Sequence, residues 1–62
     1  MKNIEKVEIA RASRVYRAVH RLSQSELGAL CGLSQRIISF VENENFRVSD
    51  ANLRRLGRLI CG

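Results

Sequence analysis

Few side chains in this 62-residue chain are suited to acid–base, nucleophilic or metal chemistry. There is one histidine, His20, and there are two cysteines, Cys31 and Cys61. A lone histidine without a second nucleophile or paired carboxylates leaves nothing from which to assemble an active site. Two cysteines are too few for a tetrahedral zinc site or a disulfide-stapled scaffold. The expectation is therefore a protein that is not an enzyme and needs no cofactor and no metal. What the chain has in quantity is guanidinium. Of its 11 cationic side chains only Lys2 and Lys6 are lysine; the rest are arginine, whose planar fork of donors matches phosphate oxygens and the guanine edge. Against 6 carboxylates this gives a net charge of +5 and a pI near 10.3. That balance points to nucleic acid first, an anionic membrane surface second and an acidic protein third.

The elements that must position these side chains are short and helical. Ile9, Ala12, Val15, Val19 and Leu22 recur at three- and four-residue steps, which predicts a helix over 6–22 with that stripe facing inward and Arg11, Arg14, Arg17 and Arg21 mostly off it. Asn3 is a candidate cap for an earlier start. Ser23 and Glu26 form a capping-box pattern that opens a helix over 24–31, with Leu27 and Cys31 inward and Gly32 as its stop. Ser34 caps a second short helix over 35–42, in which Ile38 and Val41 sit three apart. The stretch 43–48 has no helical period and reads as a loop. Ser49 or Asp50 caps a last helix over 51–60, with Leu53, Leu56, Leu59 and Ile60 on one face and Arg54, Arg55 and Arg58 on the other. No strand is expected.

With 45% hydrophobic residues and no proline, the chain reads as one ordered domain over 1–62. Its longest charge-free run, Leu27 to Gln35, is far short of the roughly 20 apolar residues a membrane span needs. Met1 leads into a charged segment rather than an apolar leader, so the expected location is cytoplasmic. The centre of the chain is the most informative part. A three-residue, glycine-containing connection sets two helices steeply across each other, giving a helix-turn-helix unit over 24–43. Gly28 costs about 1 kcal/mol relative to alanine inside a helix, which a close backbone approach would explain.

The run Leu22-Ser23-Gln24-Ser25-Glu26-Leu27-Gly28, followed by Cys31-Gly32-Leu33-Ser34-Gln35-Arg36-Ile37-Ile38-Ser39-Phe40-Val41-Glu42-Asn43, resembles the Cro/C1 (Xre-type) DNA-binding domain. The family motif is Leu-Ser-Gln-x-x-Leu-Ala, then Gly-Val-Ser, then Ile-Ser-x-Ile-Glu. The resemblance covers about 22 residues by motif, and most of the chain after residue 11 once the flanking helices are included. It implies an all-α, lambda-repressor-like fold with four helices, a truncated form of the family's five. It also implies a sequence-specific regulator of transcription, as in phage repressors, restriction–modification controllers or antitoxins. Its partner would be double-stranded DNA carrying an inverted-repeat operator, bound as a homodimer with the second helix of the unit in the major groove. Carried over position by position, Gln35, Arg36, Ser39 and Phe40 are base-contacting. Gln24, Ser34, Asn43 and Arg47 are phosphate-contacting, and Arg17 with Glu42 is a structural ion pair.

The chain departs from the family at several positions. Ile37 and Phe40 stand where the family is usually polar, and the expectation is that both lie in the groove or at its rim, where apolar groups meet thymine methyls. Arg21 stands where the family often has glycine, which predicts mild strain in that turn. The family's fifth helix has no counterpart before Gly62, whereas about eleven residues precede the matched region at the N-terminus. Simpler readings apply elsewhere. Arg54, Arg55 and Arg58 read as a solvated face, Cys31 as a small core residue, Cys61 as exposed and His20 as a surface residue. The rival of another class is a protein-interaction module, such as a toxin-binding antitoxin, that presents an exposed Ile37–Phe40 patch. A basic amphipathic membrane binder fails on spacing, because the central helices carry caps and inward faces.

Overall fold

Ser23 begins the ordered architecture of the centre. Its Oγ accepts the Glu26 backbone N–H at 3.0 Å, and the Glu26 carboxylate accepts the Ser23 N–H at 2.9 Å, so two donors of the helix start are satisfied reciprocally. Ser34 Oγ accepts the Ile37 N–H at 3.3 Å, and Ser49 Oγ accepts the Asn52 N–H at 3.2 Å, opening the next two helices in the same way. Of the two candidates for the last cap, Ser49 is the one used. The computed structural model describes residues 2–45 and 47–60, and at position 3 the backbone alone. Its elements are α1 (Asn3–His20), α2 (Gln24–Cys31), α3 (Gln35–Glu42) and α4 (Asp50–Ile60), with no strand among the described residues. Asn3 is the first helical residue rather than the cap; Lys2 occupies the cap position and makes no side-chain cap bond. Cys61 and Gly62 lie outside the described residues.

Three helices end alike. After α1, the Arg21 N–H donates to Ala18 O and the Leu22 N–H to Arg17 O. After α2, the Leu33 N–H reaches Gly28 O at 2.8 Å. After α3, Glu44 N–H donates to Val41 O and Asn45 N–H to Phe40 O. Each closure places one residue in the left-handed region: Arg21 at φ 55°, Gly32 at φ 72° and Glu44 at φ 57°. Only one of the three is glycine, so the other two carry the strain of a Cβ in that region. Gly28 has a packing reason instead, since a Cβ there would be driven against the Leu33 carbonyl.

The helices enclose a core of Ala10, Leu27, Ile38, Val41, Val48, Leu53 and Leu56, all buried. Ile9, Tyr16, Leu22, Cys31, Leu33, Ile37, Phe40, Leu59 and Ile60 pack around it half-buried. Helix α1 lies against α3 and α4, and α2 lies against the same two. The inward face of α1 differs from the one its apolar spacing predicts. Ala10 and Ser13 are fully buried, whereas Val15 and Val19 are 61% and 70% exposed. The helix is turned so that Ser13 and Arg17 look inward, and a buried carboxylate supplied by α3 accounts for that rotation.

Candidate nucleic-acid interface

Glu42 closes α3 at 3% exposure and is fully supplied with donors. Its Oε2 accepts from Ser13 Oγ at 2.7 Å and from Arg17 Nε at 2.8 Å. Its Oε1 accepts from Arg17 Nη2 at 2.7 Å and from Gln24 Nε2 at 3.2 Å. Two donors on each oxygen fill the four lone-pair sites of an ionised carboxylate. The donors come from α1 and from the first residue of α2, so one carboxylate fixes three helices relative to one another. Arg17 Nη1 also donates to Leu22 O at 3.3 Å, tying the α1–α2 connection into the same network. Burial pushes the Glu42 carboxyl up, but the hydrogen bonds from Arg17, Ser13 and Gln24 and the Arg17 charge outweigh it, and the group ionises below the usual carboxylate range. The hydrogen bond to Glu42 raises the Arg17 guanidinium in turn, against the opposing effect of burial.

With Ile38, Val41 and Glu42 fixed inward, helical spacing turns Arg36, Ser39 and Asn43 to the opposite side of α3. Gln35 and Arg36 are exposed in the first turn, and neither side chain makes a hydrogen bond or ion pair among the described residues. Asn43 is exposed, and its Nδ2 donates to Ser39 Oγ at 3.3 Å across one turn, which aligns the two side chains. Ser34 spends an acceptor lone pair of its hydroxyl on the Ile37 cap and keeps its O–H for another partner. Arg47 is exposed in the following loop, where its backbone N–H donates to Asn45 Oδ1 at 3.4 Å. Arg36, Ser39 and Asn43 thus make a polar row along one side of a short helix, interrupted by the half-buried Phe40, with exposed Arg47 in the loop that follows.

This geometry shows which expected side chains are already engaged in the fold. Phe40 and Ile37 are half-buried and pack against the core with part of their surface, so they are less open than expected, although Phe40, four residues after Arg36 and three before Asn43, shares their side of α3. The apolar residues left most exposed are Ile4, Val15 and Val19 on α1 and Leu30 on α2. Gln24, expected at phosphate through its backbone and amide, gives one side-chain N–H to Glu42 and so braces α2 against α3, which leaves the second amide N–H and the helix-start N–H for another partner. Ser13 was not singled out in the sequence. The signal was there, since Ser13 stands four residues before Arg17 and so shares its face.

Cys31 is half-buried; burial raises its thiol, against weaker lowering by nearby backbone hydrogen bonds and Arg55. No group of three or more histidine, cysteine or acidic side chains arranged to hold a metal ion occurs among the described residues. No helix among them is long and apolar enough to cross a membrane. Compared with known proteins, the chain matches no family model, no curated protein and no solved structure.

Proposed function

We propose that the chain is a helix-turn-helix DNA-binding regulator of the Cro/C1 type, a repressor of its own operon that binds an inverted-repeat duplex as a homodimer. The observation that carries this reading is the unengaged Gln35–Arg36 pair at the exposed start of α3, on a helix held from behind by the Glu42 network. Helix α3 enters the major groove, with Gln35 suited to the adenine edge and Arg36 to the guanine edge. Ser39 lies one turn further along. Ser34, Asn43, Arg47 and the outward N–H at the start of α2 meet the flanking phosphates. A single module this small covers limited DNA, so useful affinity needs two half-sites about one helical turn apart. The all-helical architecture, the glycine-closed three-residue connection and the Arg17–Glu42 pair support the resemblance seen in the sequence. The rival reading as a protein-interaction module depended on an exposed apolar α3, and Ile37 and Phe40 are half-buried there.

The test compares a duplex covering the region upstream of the protein's own gene with a scrambled duplex, at two salt concentrations. Tight, salt-sensitive binding to the first and weak binding to the second is expected. Equal binding to both would overturn specific autoregulation, and absence of binding to either would overturn the DNA-binding reading altogether.

A further inference from the structure

The outward face of α4 has a property that the row on α3 does not explain. Ala51, Arg54, Arg55 and Arg58 stand at i, i+3, i+4 and i+7, all exposed, and together line one shallow depression of about 260 Å³. Among the described residues, none of the three guanidinium groups makes a hydrogen bond or an ion pair, although Arg54 shares an electrostatic interaction with Asp50 at the head of the helix. Arg55 has a partial reason to be there: a Cβ on Gly32 would lie 3.7 Å from its Nη1, so its charge sits against the C-terminal end of α2, where cations are favoured. Arg54 lies one turn from Asp50, and Arg58 stands in the last turn of α4, where the helix end favours a cation, but neither guanidinium is held by a hydrogen bond. Like charges one turn apart repel, and the face is relieved when an anion enters it. Forked donors around a small-residue floor suit the oxygens of a phosphate, which two guanidiniums can grip at once.

Position selects the source of that phosphate. Arg55 borders Gly32, and from Gly32 the chain runs through Leu33 into Ser34, Gln35 and Arg36, so the arginine face adjoins the segment assigned to the duplex. We propose that Arg54, Arg55 and Arg58 form a second phosphate-binding surface, which holds backbone phosphates of the same duplex beyond those beside α3. The inference rests on the DNA-binding reading and extends its footprint along α4. These residues add affinity and salt dependence without reading bases.

The experiment measures binding of the full chain to a short random-sequence duplex and to the upstream duplex between 50 and 200 mM salt. It compares wild type with R54Q/R55Q/R58Q, checked by circular dichroism, and with the three single variants should the triple fail to fold. Each phosphate contact removed makes the slope of log K against log salt shallower by about 0.9. The triple variant is therefore expected to lose about 2–3 units of slope, and its deficit against wild type to shrink by up to about 40-fold across that range. Both duplexes suffer equally, so discrimination between them is unchanged. An unaltered slope in a folded variant, with wild type still binding, overturns this surface and leaves the proposed function standing. Wild type that binds neither duplex in a salt-dependent way overturns both. Binding of a glutamate-rich peptide that the substitutions abolish, with the duplex slope untouched, gives the face to an acidic protein and overturns the proposal as well.

Discussion

At the scale of single residues, Glu42 and Arg17 are unequal partners. The Glu42 side chain is 4% exposed and that of Arg17 is 26% exposed. Removing Arg17 takes the counter-charge and two of four hydrogen bonds from a buried carboxylate, whereas removing the Glu42 charge leaves a guanidinium that can still be hydrated. Arg17→Ala is expected to cost about 3–5 kcal/mol in urea unfolding, and Glu42→Gln about 1–3 kcal/mol; the reverse order would show that the carboxylate is hydrated in solution. The same residue sets an acid limit. Because the folded carboxyl ionises below its unfolded value of about 4.3, its contribution is complete above that pH and is lost as pH falls through the depressed folded value. Wild type should therefore hold its melting temperature from neutral pH down to about 5 and lose it below about 4, while Glu42→Gln should flatten that fall. Under the proposed DNA-binding function, Arg36 serves recognition and not the fold, since its side chain makes no hydrogen bond or ion pair among the described residues. Arg36→Ala is expected to relax preference at one base pair for about 1–3 kcal/mol without moving the melting temperature. Equal weakening on every sequence would make Arg36 a phosphate contact.

Elements were legible in the sequence where their signals are local. The bounds of α2 and α3 follow from Ser23, Glu26, Gly32 and Ser34, because each cap and stop is decided within four residues of itself. The rotation of α1 was not legible. Its apolar spacing favours Val15 and Val19 inward, but a carboxylate 25 residues away at position 42 requires Ser13 and Arg17 on that side, and satisfying a buried charge outweighs burying two valines. The partial burial of Phe40 was hidden for a related reason, since a period read along one helix does not show what neighbouring elements cover. The left-handed closure at Glu44 was hidden because its residue has a side chain, whereas strain at Arg21 was anticipated. Glycine relieves both. Arg21→Gly and Glu44→Gly are each expected to stabilise the fold by about 1 kcal/mol, raising the melting temperature by about 4–8 °C. No rise would mean that these turns relax away from φ values near 55° in solution.

At the scale of the whole molecule, seven buried apolar residues and one buried carboxylate among the described residues hold together a body of 28 × 20 × 19 Å. A core this small rarely supplies more than about 3–5 kcal/mol, which is also the size of the loss expected at Arg17. The exposed valines of α1 lie outside that core, so Val15→Lys with Val19→Lys should change unfolding free energy by no more than about 0.5 kcal/mol. A larger loss that grows with protein concentration would mean that this face is covered in solution. The two kinds of glue also divide the molecule into parts that need not open together. Helices α1, α2 and α3 share one hydrogen-bonded carboxylate, whereas α4 enters the core through Leu53 and Leu56. Backbone amides of α4 should therefore exchange with solvent through a partial opening that leaves the other three helices protected, so that the arginine face can loosen and re-form while α3 keeps its place.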